Sequence, residues 1–355
     1  MKYSFKIGSA WGIPIELHIT FILLMVVILV LSYPSLYLFL LVLFLFAFVT
    51  VHELAHSVVA RHYSIKVRKI VLYPIGGVSE IEEIPENPSI EWRMAIAGPL
   101  TSFVIGAILL ALNQVFSIQN PATALTSSLQ TTGNLVLDLA GLNLILGAFN
   151  LIPAFPMDGG RVFRALLAEH MRFTDATKWA AFIGRMFGIL MVMVGVFFDF
   201  WFIIIGVFIY IGASEEAEST IVSTALARVR VKDVMQPEAS AVSPDTTLAE
   251  AMEVMFKARY HDALVEKDGA LFGVVCWDDI KKVKPEQRQE MRVENLPIKH
   301  ISIFQDESVL EAYKVMSREK AHLVPVVDRD APGKVVGVLT SESIAYAHEK
   351  AKSLR

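Results

Sequence analysis

At 355 residues, 54% of them hydrophobic and with a positive mean hydropathy, the chain is too apolar for an ordinary soluble protein and long enough for more than one domain. A formal charge of -4 with no long run of Lys or Arg offers no electrostatic footprint for a phosphate backbone, so no nucleic acid is expected as a partner. The lone Cys276 excludes an internal disulfide framework and suits a reducing cytosol.

In chain order, apolar stretches suited to about 30 Å of hydrocarbon run from Ile15 to Leu31, Leu36 to Ala60, Met94 to Leu112 and Leu135 to Ile152. Two more follow, Ala180 to Phe198 and a short one from Phe200 to Ile211, with Asp199 marking a tight turn between them. The expectation is a polytopic α-helical membrane domain of about six spans over residues 1–213. Lys2 and Lys6 ahead of the first stretch mimic a signal peptide, but the run is long and Leu31-Ser32-Tyr33-Pro34 is no small-x-small cleavage site, so a retained span is expected. Arg61, Lys66, Arg68, Lys69 and Arg93 follow span two, and Arg161, Arg164, Arg172 and Lys178 follow span four. The loops around Tyr33-Pro34 and from Asn113 to Gly133 carry no Lys or Arg. Because these charges gather on the cytoplasmic side, a multi-pass protein of the cell membrane with both termini in the cytoplasm is expected.

Between spans two and three, Val67 to Tyr73 is rich in strand formers, and Pro74-Ile75-Gly76-Gly77 supplies turn chemistry before Val78-Ser79-Glu80-Ile81, which predicts a hairpin at the membrane edge. Two roles are open to the hairpin: its strand from Val67 to Tyr73 takes up an extended substrate segment by edge pairing, or the hairpin is a lid or a purely structural element. Interhelical hydrogen bonding is expected of Glu16, His18 and Asn143. After Ser214 the composition turns polar, with a linker expected over 214–230 and then an α/β unit repeated at a period of about 61 residues, 231–290 and 291–355. Thr247-Leu248-Ala249-Glu250-Ala251-Met252 lines up with Ser308-Val309-Leu310-Glu311-Ala312-Tyr313, and Leu271-Phe272-Gly273-Val274 corresponds to Val335-Val336-Gly337-Val338.

The chemistry concentrates in span two. Val51-His52-Glu53-Leu54-Ala55-His56 places two imidazoles four residues apart on one helix face, where they can take two corners of a zinc tetrahedron while Glu53 accepts a proton from the activated water. Nine residues separate His52 from Arg61, which at about 1.5 Å per residue sets it roughly 13 Å into the bilayer. Ionisable groups at such depth are functional by default. Asp158 is the candidate third ligand: it ends Asn150-Leu151-Ile152-Pro153-Ala154-Phe155-Pro156-Met157, where two prolines break the helix, and irregular backbone at membrane depth borders protein or a water-filled cavity. Asp138 competes, but lies near the start of span four, and Asp175 suits a loop position.

These residues resemble the site-2 protease family of intramembrane metalloproteases. The resemblance rests on the pentad from His52 to His56, on Asn150-x-x-Pro153-x-x-Pro156-x-Asp158-Gly159, on Gly76-Gly77 and on Gly98-Pro99, and covers about the first 212 residues. It implies one Zn2+ per chain held by His52, His56 and Asp158, Glu53 as catalytic acid and base, Asn150 binding the substrate backbone or steadying the oxyanion, and membrane-anchored protein substrates. The repeats resemble the CBS pair, which implies binding of ATP or AMP between the units, a regulatory role and homodimerisation. That family's ribose signature is incomplete in both copies: Gly273, Cys276, Asp279 keeps the acid, and Gly337, Thr340, Ser343 keeps the hydroxyl, so Asp279 and Thr340 are the expected nucleotide contacts, with one usable cleft around Asp279. The rival reading is a membrane transport or binding protein with a structural metal site gated by the repeats, but a transporter needs polar residues along a path across the bilayer, whereas this constellation gathers near one face.

Overall fold

The chain begins as a strand pair. β1 (Ser4–Ala10) and β2 (Ile13–His18) are antiparallel, and α1 (Ile19–Ser32) starts only after His18, whose side chain accepts from the Thr20 backbone N–H as N-cap. The first apolar stretch was expected to be helical from Ile15. Its leading residues alternate Ile13, Ile15 and Leu17 with Pro14 and Glu16, a period of two that apolarity alone hides. The computed structural model describes residues 3–81, 86–115, 133–237, 240–331 and 333–353; most of the loop expected between spans three and four, 116–132, lies outside them.

The expected hairpin forms as β3 (Val67–Tyr73) and β4 (Gly76–Ile81), and β2 pairs parallel with β3 to give a four-stranded sheet of order β1-β2-β3-β4. β3 is therefore an interior strand, which corrects its expected role in edge pairing: the N-terminal hairpin has taken that edge, and among the described residues the outer strands are β1 and β4. Glu16 and His18 serve this region rather than helix packing. Glu16 accepts from Lys69 Nζ at 2.7 Å and from Ser4 Oγ at 2.5 Å, tying β2 to both neighbouring strands.

Among the described residues, α1 is followed by α2 (Tyr37–His62), α3 (Pro88–Val115), α4 (Leu135–Asn150), α5 (Asp158–Ala168), α6 (Phe173–Phe197) and α7 (Phe200–Arg228). Among the described residues, α2, α3, α6 and α7 are long and apolar enough to cross a membrane, and α1 and α4 are shorter apolar helices. The burial pattern is that of a bilayer protein. On α6, Phe182, Met186, Ile189, Leu190 and Met193 are exposed while Ala180, Ala181, Gly184 and Gly188 are buried, so large apolar groups face outward and small ones let helix backbones approach. Asn143 donates to Leu139 of its own helix rather than across to another, because the i-4 carbonyl lies within reach and its neighbours are apolar. The Asp199 side chain accepts from the Trp201 N–H and so starts α7 at the expected turn. α7 then runs on to Arg228, so most of the segment expected as a linker is helix, in keeping with its Glu and Ala content.

The chain divides into two units, Met1–Glu218 and Ser219–Arg355. In the second, β5 (Ala241–Val242), β6 (Asp262–Lys267) and β7 (Ala270–Cys276) form one sheet, and β8 (Ile303–Phe304), β9 (Leu323–Val327) and β10 (Val335–Thr340) form another with the same parallel-then-antiparallel pairing. The repeat extends to the helix ends. Thr247 caps α8 (Leu248–Ala258) and Ser308 caps α10 (Val309–Glu319), and Arg259 and Lys320 close them in left-handed conformation. Between them lies the short α9 (Trp277–Ile280), and α11 (Ser341–Ser353) ends the unit. Leu264, Val274, Cys276, Ala321, Leu323 and Val338 form an apolar core shared by the repeats. Asp262 is fully buried beside it: its carboxylate accepts from the Trp277 N–H at 3.2 Å and from the His322 N–H at 2.5 Å, one donor from each repeat.

Candidate active site

His52 and His56 are buried on one face of α2, rings 4.9 Å apart. Asp158 is the first residue of α5, immediately after the irregular segment that the prolines interrupt, and an acid suits a helix N-terminus. Nε2 of both histidines lies 3.2 Å from Asp158 Oδ2. Of the three acids weighed from sequence, only Asp158 joins the histidines. Asp138 accepts from the Tyr37 hydroxyl, and Asp175 pairs with Arg172 and Lys178.

The donor set fits zinc. Ligand bonds of about 2.0–2.1 Å at tetrahedral angles separate neighbouring ligand atoms by roughly 3.3 Å, close to the His–Asp spacing. The outer nitrogens point to the same role. His56 Nδ1 lies 2.7 Å from the Met94 carbonyl, which can only accept, so Nδ1 carries a proton there and Nε2 is the nitrogen turned toward Asp158. His52 Nδ1 meets Ser102 Oγ at 2.8 Å. Met94, Gly98 and Ser102 are spaced four apart on α3, so one helical face supplies both outer partners, and Gly98 lies between them against the two Nε2 atoms. A Cβ on Gly98 would stand 2.2 Å from His56 Nε2 and 2.5 Å from His52 Nε2.

Glu53 is half-buried beside the histidines, under β4. Ser79 Oγ donates to Glu53 Oε2 at 2.8 Å, and a Cβ on Gly77 would come within 2.6 Å of Glu53 Cγ. A cavity of about 330 Å³ collects these groups: its wall includes Glu53, His56, Gly77, Ser79, Asp158 and Arg161, with Glu91 and Glu216 beyond. Behind the wall, Arg164 donates from Nε to Glu91 Oε1 at 2.7 Å and stacks between Phe155 and Phe173, fixing α5 against α3. Asn150, expected at the site, donates to Leu146 of its own helix at 3.0 Å and is not part of the cavity wall. Ser79, Ser102, Glu91 and Glu216 were not expected at the site. The spacing of Met94, Gly98 and Ser102 was the available signal for the α3 face, and the others depend on tertiary packing.

The sequence model of peptidase family M50 matches residues 40–139 and 133–193, and that of the CBS domain matches residues 231–286 and 293–350. A zinc metalloprotease of Methanocaldococcus jannaschii is 38% identical over 350 residues, covering 98% of this chain and 96% of the relative. The chain belongs to peptidase family M50. It is a metalloprotease of the site-2 protease type with a tandem CBS pair. Rip3 of Mycobacterium tuberculosis is 28% identical over 319 residues, 83% of this chain and 76% of that protein. The solved site-2 protease of Methanocaldococcus jannaschii is 43% identical, covers 61% of this chain and 95% of its own, and superposes with a TM-score of 0.45.

In the CBS pair of this M50 protein, a cavity of about 370 Å³ is lined by Asp278, Ser317, Lys320, His322 and Ser341 among others. Neither expected nucleotide contact is on that wall. Asp279 is ion-paired to Lys282 at 2.6 Å, and Thr340 Oγ1 is 3.2 Å from Ser343 Oγ and accepts from its N–H.

Proposed function

We propose that His52 Nε2, His56 Nε2 and Asp158 hold a catalytic zinc ion and that the chain hydrolyses peptide bonds of membrane-anchored proteins, with Glu53 as general base and acid. The observation that carries this reading is the meeting of both Nε2 atoms with one carboxylate oxygen in a cavity that Glu53 also lines. Zinc bound there supplies Lewis acidity toward a water and toward the scissile carbonyl. The chain's own residues do the rest. Met94 and Ser102 fix the imidazole orientations, Ser79 holds the Glu53 carboxylate, and Glu53 takes the proton of the attacking water and returns it to the departing nitrogen.

A helical substrate must be extended before its carbonyl can be attacked. The outer edge of β4, unpaired among the described residues and with Gly77, Val78 and Ser79 lining the cavity, offers main-chain pairing beside Glu53. The same sheet supports a cytoplasmic N-terminal segment, because β2 pairs with β3 in the stretch after α2 where Lys and Arg gather, and the Lys and Arg that follow α4 favour the cytoplasm for the C-terminal side as well. In the CBS pair, an adenine nucleotide would place its phosphates by Lys320 and its ribose by Asp278, and so regulate proteolysis. Purified full-length protein should cleave a membrane-anchored peptide, lose that activity to a chelator and regain it with Zn2+. Cleavage that survives complete metal removal would refute the proposed mechanism.

A further inference from the structure

Attack of water on an amide forms the O–C bond while the carbonyl π pair moves onto oxygen. When the C–N bond breaks, that pair re-forms the carbonyl and the proton held by Glu53 goes to nitrogen. Between these events the oxygen carries charge, and fixed donors aimed at it are commonly the largest contribution a protein makes to such a reaction. Asn150 spends one of its two Nδ2 hydrogens on Leu146 and lies off the cavity wall.

Arg161 is on that wall. It follows Asp158 by three residues on α5, a spacing that puts side chains about 5–6 Å apart at Cβ on one helix face. Among the described residues lining the cavity it is the one with a permanent positive charge, facing the carboxylates of Glu53, Glu91, Asp158 and Glu216. Its hold on Glu216 uses Nη2 alone, 3.1 Å from Oε1 and 3.3 Å from Oε2, and among the described residues Nε and Nη1 make no hydrogen bond. Glu216 is steadied in turn by Arg164 at 3.8 Å, whose guanidinium is anchored on buried Glu91. A guanidinium anchored through one nitrogen, with two donors unspent beside a metal-ligating carboxylate, is preorganised for a charge that is not yet there.

We infer that Arg161 is a catalytic residue, donating from Nε or Nη1 to the scissile carbonyl oxygen as charge collects on it, and that Glu216 is the positioning residue that aims it. The inference rests on the proteolytic reading above. In full-length enzyme in mixed micelles, Arg161→Gln should lower kcat by about 10²–10³-fold on a membrane-anchored peptide, with KM nearly unchanged. Zinc content should stay at the wild-type level. By calorimetry, a phosphinic peptide that mimics the tetrahedral oxygen should weaken in proportion to kcat, while an uncleavable planar analogue of the same sequence should bind as before. Arg161→Lys, which keeps the charge and the packing, should recover part of kcat and serves if the glutamine variant does not fold. Glu216→Gln should lower kcat by about tenfold without moving KM. Unchanged kcat in Arg161→Gln, a loss confined to KM, or equal weakening of both analogues would overturn the assignment. Wild-type enzyme without chelator-sensitive cleavage would instead sink the proteolytic reading, which keeps the two failures apart.

Discussion

The finest control in the membrane unit is exerted by atoms that are missing. Gly98 leaves room for two imidazoles to turn toward Asp158, and a methyl group there would stand 2.2 Å from His56 Nε2. Gly98→Ala should therefore cost zinc and activity together, read by metal analysis beside a cleavage assay, because helix backbone cannot move aside as a flexible side chain can. Glu53→Gln should divide the same two measurements: zinc stays, since no proposed ligand changes, and cleavage falls to near background because the proton acceptor is gone. Full occupancy with undiminished turnover would refute that role. Ser102→Ala should weaken zinc by about tenfold without abolishing the site, since it removes only the partner of His52 Nδ1.

At the level of elements, the four-stranded sheet is held across β2 and β3 by Glu16 and Lys69. Hydrogen bonds from Lys69 and then Ser4 draw the Glu16 carboxyl below the usual glutamate range, and the same contact with Glu16 raises the Lys69 ammonium. A depressed carboxylate stabilises the fold above its unfolded pKa and loses that contribution as pH falls through the folded value. A raised ammonium contributes below its unfolded pKa and loses its share as pH rises through the folded one. Sheet protection should thus be fullest between about pH 5 and 10, by about 1 kcal/mol. Hydrogen exchange at β2 and β3 amides should show the acid limb, and Glu16→Gln should flatten it; an unchanged limb would show that the pair does not hold the sheet. The β3–β4 hairpin was legible from local turn chemistry, whereas β2 was not, because a parallel pairing between Ile15 and Ile70 is a tertiary fact. For the same reason the two histidines and Asp158 could be proposed from spacing and a helix break, while the bond from the Asn150 amide to Leu146, one turn back, could not be foreseen. In the sequence alone, Arg161 signals only a positive charge that bears on topology.

Across the whole molecule, the repeat pair gives a readout independent of proteolysis. Cys276 lies in the core between repeats, and burial pushes its thiol up to about 11, so at neutral pH it is almost wholly protonated. Alkylation of native full-length protein should be slow and should accelerate sharply on unfolding of that unit, and ATP at saturating concentration should slow it further if nucleotide binds. Titration with ATP of wild type and Lys320→Glu by calorimetry should give binding in the first and little in the second. Equal heats would place the phosphates elsewhere. The 61-residue period was visible in sequence, but the way it is broken was not. Asp262 joins the repeats through backbone donors from each, and its counterpart one period on is Leu323. Asp262→Leu should cost about 1–3 kcal/mol by leaving the Trp277 and His322 N–H groups without their acceptor, visible as a lower unfolding midpoint of the repeat unit. Two copies descended from one plan have thus ceased to be interchangeable. A chain rebuilt with the second copy in both places would keep every cap and strand yet lack the carboxylate that joins them, so the order of the halves is itself inherited information.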